Sequence, residues 1–317
     1  MADVLLVTTW DKPCGIAEHS AMLKEAVCDA DSGIQIEPVD ALAPETCPET
    51  APIIHLNYHA ALHSLWTPDW VRYYQKLGKK VVITYHDTGV PNSDQCKALY
   101  AVADAFIIHE PADDLPGAHY WRMGVPDWAG AYQLGWSNFG PRQYRDQPVL
   151  GTVGFPFPWK CYDQLAEVTA KVGWALLLIA PGATDEQIAE WKSINPYLDV
   201  RRDFTPRGEV LSLLGGCDAT AFTYVTHNTG QSAAILSGIG ARKPVIALST
   251  CRQMRALFED PLGRTAISWV DTFEAMAFVL SHFTPIQRIS PPIVALAEQE
   301  SWRHRGKQYA ELYRGLL

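Results

Sequence analysis

The sequence predicts an α/β protein made of two doubly wound domains that face each other across a cleft. Three observations support this prediction: strand and helix patterns alternate along the chain, the alternation occurs twice, and it is interrupted near residue 148. Such alternation is typical of parallel sheets covered by helices, whose ligands bind outside the carboxyl ends of the strands. The 317 residues, 48% of them apolar, suffice for two hydrophobic cores.

The first domain is predicted to comprise residues 1–148. Its strands are short apolar runs of the kind buried in parallel sheets, at Asp3–Thr9, Pro52–Leu56, Lys80–Tyr85 and Ala103–His109. Helical periodicity follows Ser20 and covers Pro68–Leu77. The segment Asp113–Pro148, rich in Trp, Tyr, Pro and Gly, indicates loops, one short strand and a linker.

The second domain is predicted to comprise residues 149–292. Its predicted strands are Val149–Gly154, Trp174–Ala180, Leu198–Arg201, Ala219–Tyr224, Pro244–Leu248 and Thr265–Val270. Its predicted helices are Tyr162–Lys171, Asp185–Ser193, Arg207–Leu214, Ser232–Gly240, Cys251–Glu259 and Thr272–Ser281. Beyond it, Pro292–Leu316 carries one long amphipathic helical pattern, which predicts a C-terminal helix over 293–317.

The stretch Tyr224–Ser249 has the pattern of a strand, a polar loop at Thr226–Gln231, a helix and a second strand. Ser232 is a good N-cap for that helix, and the loop before it presents backbone N–H groups at the positive end of the helix dipole. These groups suit an anion. On this stretch alone, an ordinary loop and cap between a strand and a helix is the better explanation of the pattern.

Other motifs near the ends of the predicted strands are less specific. The loop at Gly15 lacks the glycine fingerprints of dinucleotide and nucleoside-triphosphate sites. His59, His86 and His109 follow three successive strands, so a metal site made of them is conceivable. Because the three residues lie on separate strands, no sequence spacing tests this metal site. For His86, a hydrogen-bonded loop histidine is the alternative.

Composition narrows the class of protein. Lys plus Arg is 26 and Asp plus Glu is 35, a formal charge of −9 that opposes general attraction to nucleic acid. The seven scattered cysteines form no Cys-x-x-Cys pair and predict free thiols in a reducing compartment. The chain shows no basic leader and no apolar run of the ~20 residues that a membrane helix needs. We therefore expect a cytoplasmic protein without stable membrane insertion.

Six segments in a fixed order resemble those of the GT-B glycosyltransferases, most closely the family 4 type that uses nucleotide-activated sugars. The resemblance spans nearly the whole chain. The segments are Thr9–Ser20, Val82–Asp87, Gly151–Lys160, Glu209–Tyr224, Gly230–Ala247 and Glu300–Tyr313.

The resemblance implies two Rossmann-like domains, a C-terminal helix that packs back across them, and transfer of a sugar from a nucleotide-sugar donor. It also implies retention of the anomeric configuration, no metal, and no cofactor other than the nucleotide sugar as co-substrate. His86 and Lys160 are the implied catalytic residues, His86 near the reacting sugar and Lys160 on the phosphate. The implied donor-binding residues are Gly15, Ile16, Lys160, His227, Asn228, Thr229, Gly230, Gln231, Ser232 and Ala233.

The chain departs from the family pattern at two places. The paired glutamates that usually bracket the donor helix correspond to Thr229 and Ser237, and the arginine that accompanies the phosphate lysine corresponds to Phe155. A binding protein or inactive relative is therefore the main alternative, and a sugar-phosphate epimerase of the same two-domain shape is a third. The acceptor stays open among a saccharide, a lipid-linked sugar and a nucleic-acid base.

Overall fold

The computed structural model describes residues 2–10, 12–40, 43–86, 94–110, 115–126, 147–225, 232–251, 254–284 and 290–317. It divides into two compact units. The first contains the described residues of Met1–Gly124 together with Glu300–Leu317, and the second those of Val125–His227 and Ser232–Gln299. The division falls at Gly124, whereas the sequence places it at 148. Because residues 127–146 lie outside the described ranges, the boundary near 148 stays a prediction.

The described elements follow the predicted alternation of strand and helix. The strands are β1 Val4–Val7, β2 Ile36–Val39, β3 Ile53–Tyr58, β4 Lys80–Tyr85, β5 Ala105–Ile108, β6 His119–Tyr120, β7 Val149–Val153, β8 Ala175–Ile179, β9 Leu198–Arg201, β10 Ala219–Phe222, β11 Val245–Leu248 and β12 Ile267–Val270. The helices are α1 Gly15–Ala30, α2 Ala60–His63, α3 Pro68–Lys76, α4 Asp94–Tyr100, α5 Tyr162–Val172, α6 Asp185–Ile194, α7 Arg207–Gly216, α8 Ala233–Gly240, α9 Arg255–Glu259, α10 Pro261–Ala266, α11 Phe273–Ser281, α12 Pro291–Gln299 and α13 Trp302–Leu316.

The first unit is built on a parallel sheet in the order β2-β1-β3-β4-β5-β6. Strand β2 was missed by the sequence reading, since it is a short edge strand that contains Pro38, which an edge tolerates. The order reverses between β1 and β3. Ligands of open parallel sheets bind outside the carboxyl ends of the strands at such a reversal.

The second unit is built on a parallel sheet in the order β12-β11-β10-β7-β8-β9. This order reverses between β7 and β10, where the carboxyl end of β7 leads into Gly154 and that of β10 leads into Thr223. The apolar side chains of β7, β8 and β10 pack against α5 and α11, in a cluster that includes Leu150, Leu176 and Met276. A well-packed hydrophobic core therefore supports the strands that flank this reversal.

The prediction of one continuous C-terminal helix over 293–317 is wrong. The chain forms α12 and α13 with a break at Glu300 and Ser301, where the Ser301 hydroxyl caps α13 by accepting from the His304 N–H at 3.3 Å. Helix α12 belongs to the second unit and α13 to the first. Glu300 is buried in the first unit and ion-paired there, which the amphipathic pattern of the sequence does not reveal.

Helix α13 packs on α1 and on the sheet of the first unit. Its backbone approaches so closely at Gly306 that a Cβ there would overlap the carbonyl of Ala26. The hydroxyl of Tyr313 lies 2.5 Å from Nδ1 of the buried His55, and that of Tyr309 lies 3.2 Å from Thr84 Oγ1. Helix α13 is thus an integral part of the first unit.

All seven cysteines are free thiols. Among the residues that the structure describes, no helix is both long and apolar enough to cross a membrane.

Candidate functional site

Lys160 lies at the reversal of the second sheet, in a short 3-10 turn at Pro158–Lys160 that follows β7. Two hydrogen bonds tie this turn to the end of β10. The Thr223 hydroxyl donates to the Lys160 carbonyl at 2.6 Å, and the Val225 N–H donates to the Trp159 carbonyl at 2.7 Å. The two strands that flank the reversal therefore fix the position of the lysine.

The ammonium of Lys160 is a buried cation. The residue is 8% exposed, and Nζ lies 4.0 Å from the centroid of the Tyr224 ring. Burial lowers the pKa of Lys160 to about 7, which the nearby Cys251 thiol opposes. Within the described ranges no carboxylate forms an ion pair with it. A desolvated lysine at a strand end is typical of a site for an anion, whose charge would restore the protonated form.

The chain on either side of Lys160 adopts backbone conformations that few residues tolerate. Cys161 has a φ of 54°, in the left-handed region, although it carries a side chain. Gly154 has a φ of 139°, and a Cβ at that position would overlap Lys160 Nζ. Strain of this kind persists where the surroundings over-determine it and is often found at functional sites. Glycine at 154 leaves the space that the ammonium occupies.

Replacing Gly154 with alanine should therefore move Lys160 and weaken the binding of a nucleoside diphosphate. We expect the substitution to lower the free energy of unfolding by about 1–3 kcal/mol as well, because the backbone conformation disfavours a side chain. Calorimetric titration and thermal unfolding would measure the two effects. Gly182→Ala is the matched control, since Gly182 has a φ of 81° but no described atom lies within 4 Å of its Cβ position. Equal affinities in both variants would show that Gly154 does not position Lys160.

Ser232 and Ala233 lie at the start of α8, in the second unit. Ser232 occupies the N-cap position as predicted, but its side chain makes no capping hydrogen bond. Its hydroxyl instead lies near Tyr224, where burial raises the pKa of the tyrosine and Ser232 opposes that rise. Ser232 is buried while Ala233 is exposed. The start of α8 therefore faces the same ring that covers Lys160.

The remaining loop residues predicted to contact the donor are not described. His227, Asn228, Thr229, Gly230 and Gln231 lie outside the described ranges, so their roles stay predictions. Ser237, at the place of the second family glutamate, directs its hydroxyl to the Ala233 carbonyl within the helix, at 3.4 Å. Phe155, at the place of the family arginine, is 38% exposed and follows Gly154. Neither position supplies a charge.

The reversal of the first sheet carries a second group of buried polar side chains. The Thr8 and Ser20 hydroxyl oxygens lie 2.6 Å apart, next to the end of β1. The Asn57 side chain, on β3, donates to Ser20 Oγ at 2.5 Å and lies 3.3 Å from His19 Nδ1. Its carbonyl oxygen accepts from His86 Nε2. Asn57 therefore joins α1 to the end of β4.

His86 directly follows β4, where the sequence placed it. Its backbone N–H donates to the Tyr58 carbonyl at 2.9 Å. Burial lowers the pKa of His86 well below its usual range, and the neighbouring His19 and His109 add to this effect. The ring is therefore neutral at neutral pH, so it can donate or accept a hydrogen bond but carries no charge.

Two of the three strand-end histidines do meet, and the third does not. The ring centroids of His86 and His109 are 4.9 Å apart. His59 instead caps α2, where its Nδ1 accepts from the Ala61 N–H at 3.2 Å. The third ring of the cluster belongs to His19, 4.5 Å from His86 and 5.4 Å from His109. The sequence signal for His19 was its position four residues before Leu23, on the buried face of α1.

Gly15 and Ile16 form the first turn of α1, near the end of β1. Gly15 is exposed, and no described atom lies within 4 Å of the position that a Cβ would take. Ile16 accepts through its carbonyl from the Ser20 hydroxyl at 2.9 Å. Both residues therefore lie at the reversal of the first sheet, and their contact with a donor stays a prediction.

No protein-family model and no curated protein matches the chain. Its fold is similar to that of several solved glycosyltransferases. One is a UDP-forming α,α-trehalose-phosphate synthase from Burkholderia xenovorans, at a TM-score of 0.61 and 13% identity over 97% of this chain and 80% of that one. A second such synthase structure, from the same organism and in complex with glucose-6-phosphate, has a TM-score of 0.61 and 11% sequence identity. The match covers 94% of this chain and 78% of that one.

AviGT4, a glycosyltransferase involved in avilamycin A biosynthesis, gives a TM-score of 0.61 and 15% identity over 100% of this chain and 98% of that one. Two Rossmann-like units with parallel sheets, as shared with these structures, make up the GT-B fold. The two doubly wound α/β units predicted from the sequence are confirmed, and so is the resemblance to GT-B glycosyltransferases at the level of the fold. At this level of identity the likeness establishes the fold alone.

Proposed function

We propose that the protein is a glycosyltransferase that moves a sugar from a nucleotide-sugar donor to an acceptor. The observation that carries the proposal is the buried ammonium of Lys160 at the reversal of the second sheet. Its burial holds the pKa near 7, at a free-energy cost to the unliganded protein. A bound diphosphate would offset that cost by supplying the missing counter-charge.

In sugar transfer, a cation next to the diphosphate of the donor stabilises the transition state. As the bond between the anomeric carbon and the diphosphate breaks, negative charge builds on the departing phosphate oxygens. Fixed positive groups that meet this charge lower the barrier, and they act most strongly where water is excluded. Lys160 supplies a full charge, and the first N–H groups of α8 supply the partial positive charge of a helix start.

The remaining roles follow the family resemblance. His86 contacts the transferred sugar or the charge that develops near its anomeric carbon. Gly15 and Ile16 approach the donor through their backbone, and the Ser232 hydroxyl and Ala233 N–H meet the diphosphate. In the loop before α8, His227 and Asn228 bind the sugar while Thr229, Gly230 and Gln231 border the phosphates. Transfer proceeds with retention, needs no metal, and uses no cofactor beyond the nucleotide sugar.

The proposed acceptor class is a saccharide or a sugar phosphate. One of the similar structures contains glucose-6-phosphate, which is a property of that protein and here only a guide to the compounds worth testing. A lipid-linked sugar and a nucleic-acid base are the other acceptors to test. The formal charge of −9 weighs against the nucleic-acid base.

A binding protein without turnover is the second candidate function. Ser237 favours it, because the position that carries the second glutamate in the family holds a hydroxyl bonded within its own helix. Incubation with a panel of UDP-, GDP- and ADP-sugars separates the two functions. Release of nucleoside diphosphate, with or without an added acceptor, supports the transferase, whereas tight binding with no release supports the binding protein.

The role of His86 is tested by its replacement with alanine. We expect transfer to fall by about 100-fold or more, since the ring would lose its contact with the reacting sugar. Donor affinity should change much less, because Lys160 and α8 hold the diphosphate. His282→Ala is the control, as His282 is exposed in the second unit and bonded locally to the Phe278 carbonyl. Unchanged turnover in a folded His86→Ala protein would make His86 a structural residue.

A further inference from the structure

We infer that His19, His86 and His109 form a binding site for a divalent transition metal of the zinc class. One ring nitrogen from each histidine lies within 4.8 Å of those of the other two. The three residues come from α1 and from the carboxyl ends of β4 and β5. They belong to one compact unit, so the site is complete within it.

Two ring nitrogens in this cluster are buried without partners. His19 and His109 are each 3% exposed, and the Nε2 atom of each makes no hydrogen bond with any described residue. A buried polar group that lacks a partner costs about 1–3 kcal/mol. Because Nδ1 of His19 accepts from the Asn57 amide, Nε2 of His19 carries the proton, whereas Nε2 of His109 carries a lone pair. That lone pair, buried in a cluster of three converging ring nitrogens, indicates a ligand that accepts electron pairs from nitrogen.

The hydrogen bond of His109 to the backbone leaves one ring nitrogen available to bind a metal. Its Nδ1 lies 2.7 Å from the backbone carbonyl of Trp121 and donates to it. The proton therefore resides on Nδ1, and Nε2 carries an exposed lone pair. Metal-bound histidines usually donate their second nitrogen to a carbonyl or carboxylate in this way, which fixes the tautomer and the ring orientation.

The rings of His19 and His86 also contact neighbouring side chains. The Asn57 amide N–H donates to Nδ1 of His19 at 3.3 Å, and the Asn57 carbonyl oxygen accepts from Nε2 of His86. The free lone pair of His86 is therefore on Nδ1, while His19 presents one to a metal only after its ring turns over or its tautomer changes. The ring of Trp302 packs against His19, with centroids 4.9 Å apart. Burial keeps all three imidazoles neutral by lowering their pKa values, and the neutral form is the one that binds metal.

The geometry suits a small tetrahedral ion. Zinc binds imidazole nitrogen at about 2.0–2.1 Å, so two ligands of a tetrahedral site lie about 3.3 Å apart. The nitrogens at up to 4.8 Å would need to close by about 1.5 Å or less when such an ion binds. Three histidines leave a fourth position for water or for another ligand.

Two charged side chains near the cluster, Arg305 and Glu300, pair with each other. The guanidinium of Arg305 lowers the pKa of His109, and Glu300 forms an ion pair with that guanidinium. Nitrogen ligands without a carboxylate favour zinc, copper or nickel over magnesium and calcium, which prefer oxygen. The site therefore differs in kind from a magnesium site that would hold a diphosphate.

The direct test is metal binding to the whole protein after treatment with a chelator. Titration with ZnCl2 by calorimetry, and metal analysis after gel filtration, should give one zinc ion per chain. Binding of Co2+ should produce the visible absorption of a tetrahedral nitrogen site. His19→Ala and His109→Gln should each lose this ion, whereas His282→Ala should keep it.

Three outcomes would overturn the inference: no stoichiometric zinc in the unsubstituted protein, cobalt absorption typical of an octahedral aqua ion, or retention of the ion in both variants. Circular dichroism without metal shows whether the variants fold. The cobalt spectrum of the unsubstituted protein decides the question even where a variant does not fold.

One consequence rests on the proposed function. Because His86 serves both roles, zinc should inhibit sugar transfer and a chelator should restore it. Zinc that binds without inhibiting transfer would leave the metal site standing and remove His86 from the reaction. Absence of transfer under all conditions would overturn the proposed function and leave the metal titration unaffected.

Discussion

Replacing Lys160 with methionine should stabilise the unliganded protein while weakening its binding of nucleoside diphosphates. Methionine matches the length of the lysine stem but has no charge to desolvate. A lysine pKa lowered to about 7 from its ordinary value near 10.4 corresponds to about 4 kcal/mol of destabilisation at neutral pH. We expect the midpoint of thermal unfolding to rise by about 2–4 °C per kcal/mol.

The same substitution should reduce diphosphate affinity by about 10- to 100-fold, the effect of losing one charge-assisted hydrogen bond. Lys171→Met is the matched control. Lys171 is exposed on α5, the helix that follows the lysine turn, so its replacement should change neither the midpoint nor the affinity. A Lys160→Met protein that is less stable than the parent, or that binds diphosphate equally well, would contradict the anion site.

The pH dependence of the unsubstituted protein provides a second measure of the same group. Between the folded pKa near 7 and the unfolded pKa near 10.4, the unfolded chain binds more protons at Lys160. The contribution of Lys160 to the free energy of unfolding should therefore rise with pH across that window. Diphosphate affinity should move the other way and fall above pH 7, because only the protonated lysine attracts the anion. Both trends should be absent in Lys160→Met.

Replacing Glu300 with glutamine should destabilise the first unit strongly. Glu300 is 2% exposed and lies between two guanidinium groups, with Oε1 3.1 Å from Arg122 Nη2 and Oε2 paired with Arg305 Nη2. Arg305 also donates to the Arg122 carbonyl at 2.6 Å and to Gln308 at 2.9 Å. Burial lowers the pKa of Arg305, and Glu300 opposes this shift.

Glutamine keeps the shape of the side chain but leaves both cations without a buried counter-charge. Breaking a buried ion pair in this way typically costs about 3–5 kcal/mol. The midpoint of thermal unfolding should fall by roughly 6–20 °C, since each kcal/mol shifts a domain of this size by about 2–4 °C. Glu298→Gln, at an exposed position on α12, is the control and should leave the midpoint unchanged. A Glu300→Gln midpoint equal to that of the control would show that the pair contributes little.

The strands and helices at either side of the two reversals were predictable because local patterns determine them. Continuous apolar runs such as those of β4 and β8 are buried on both faces, and periodic apolar positions identify α3, α5 and α6. The placement of His86 and Lys160 was predictable as well, since each follows a strand at the end where parallel sheets bind ligands, while their roles stay predictions. That part of the site required only the order of elements and the resemblance to a family.

Sequence alone thus determined the alternation of elements, the two-sheet fold and the placement of single residues at strand ends. Tertiary structure decided which of those residues meet. His19 replaces His59 in the histidine cluster because α1 packs over the ends of β4 and β5, while His59 is used to cap α2. The C-terminal helix breaks at Glu300 and Ser301, where Glu300 is buried in an ion pair and Ser301 caps the following helix. The charge state of Lys160 depends on desolvation by neighbours distant in sequence, and a pattern of residue types carries no measure of burial.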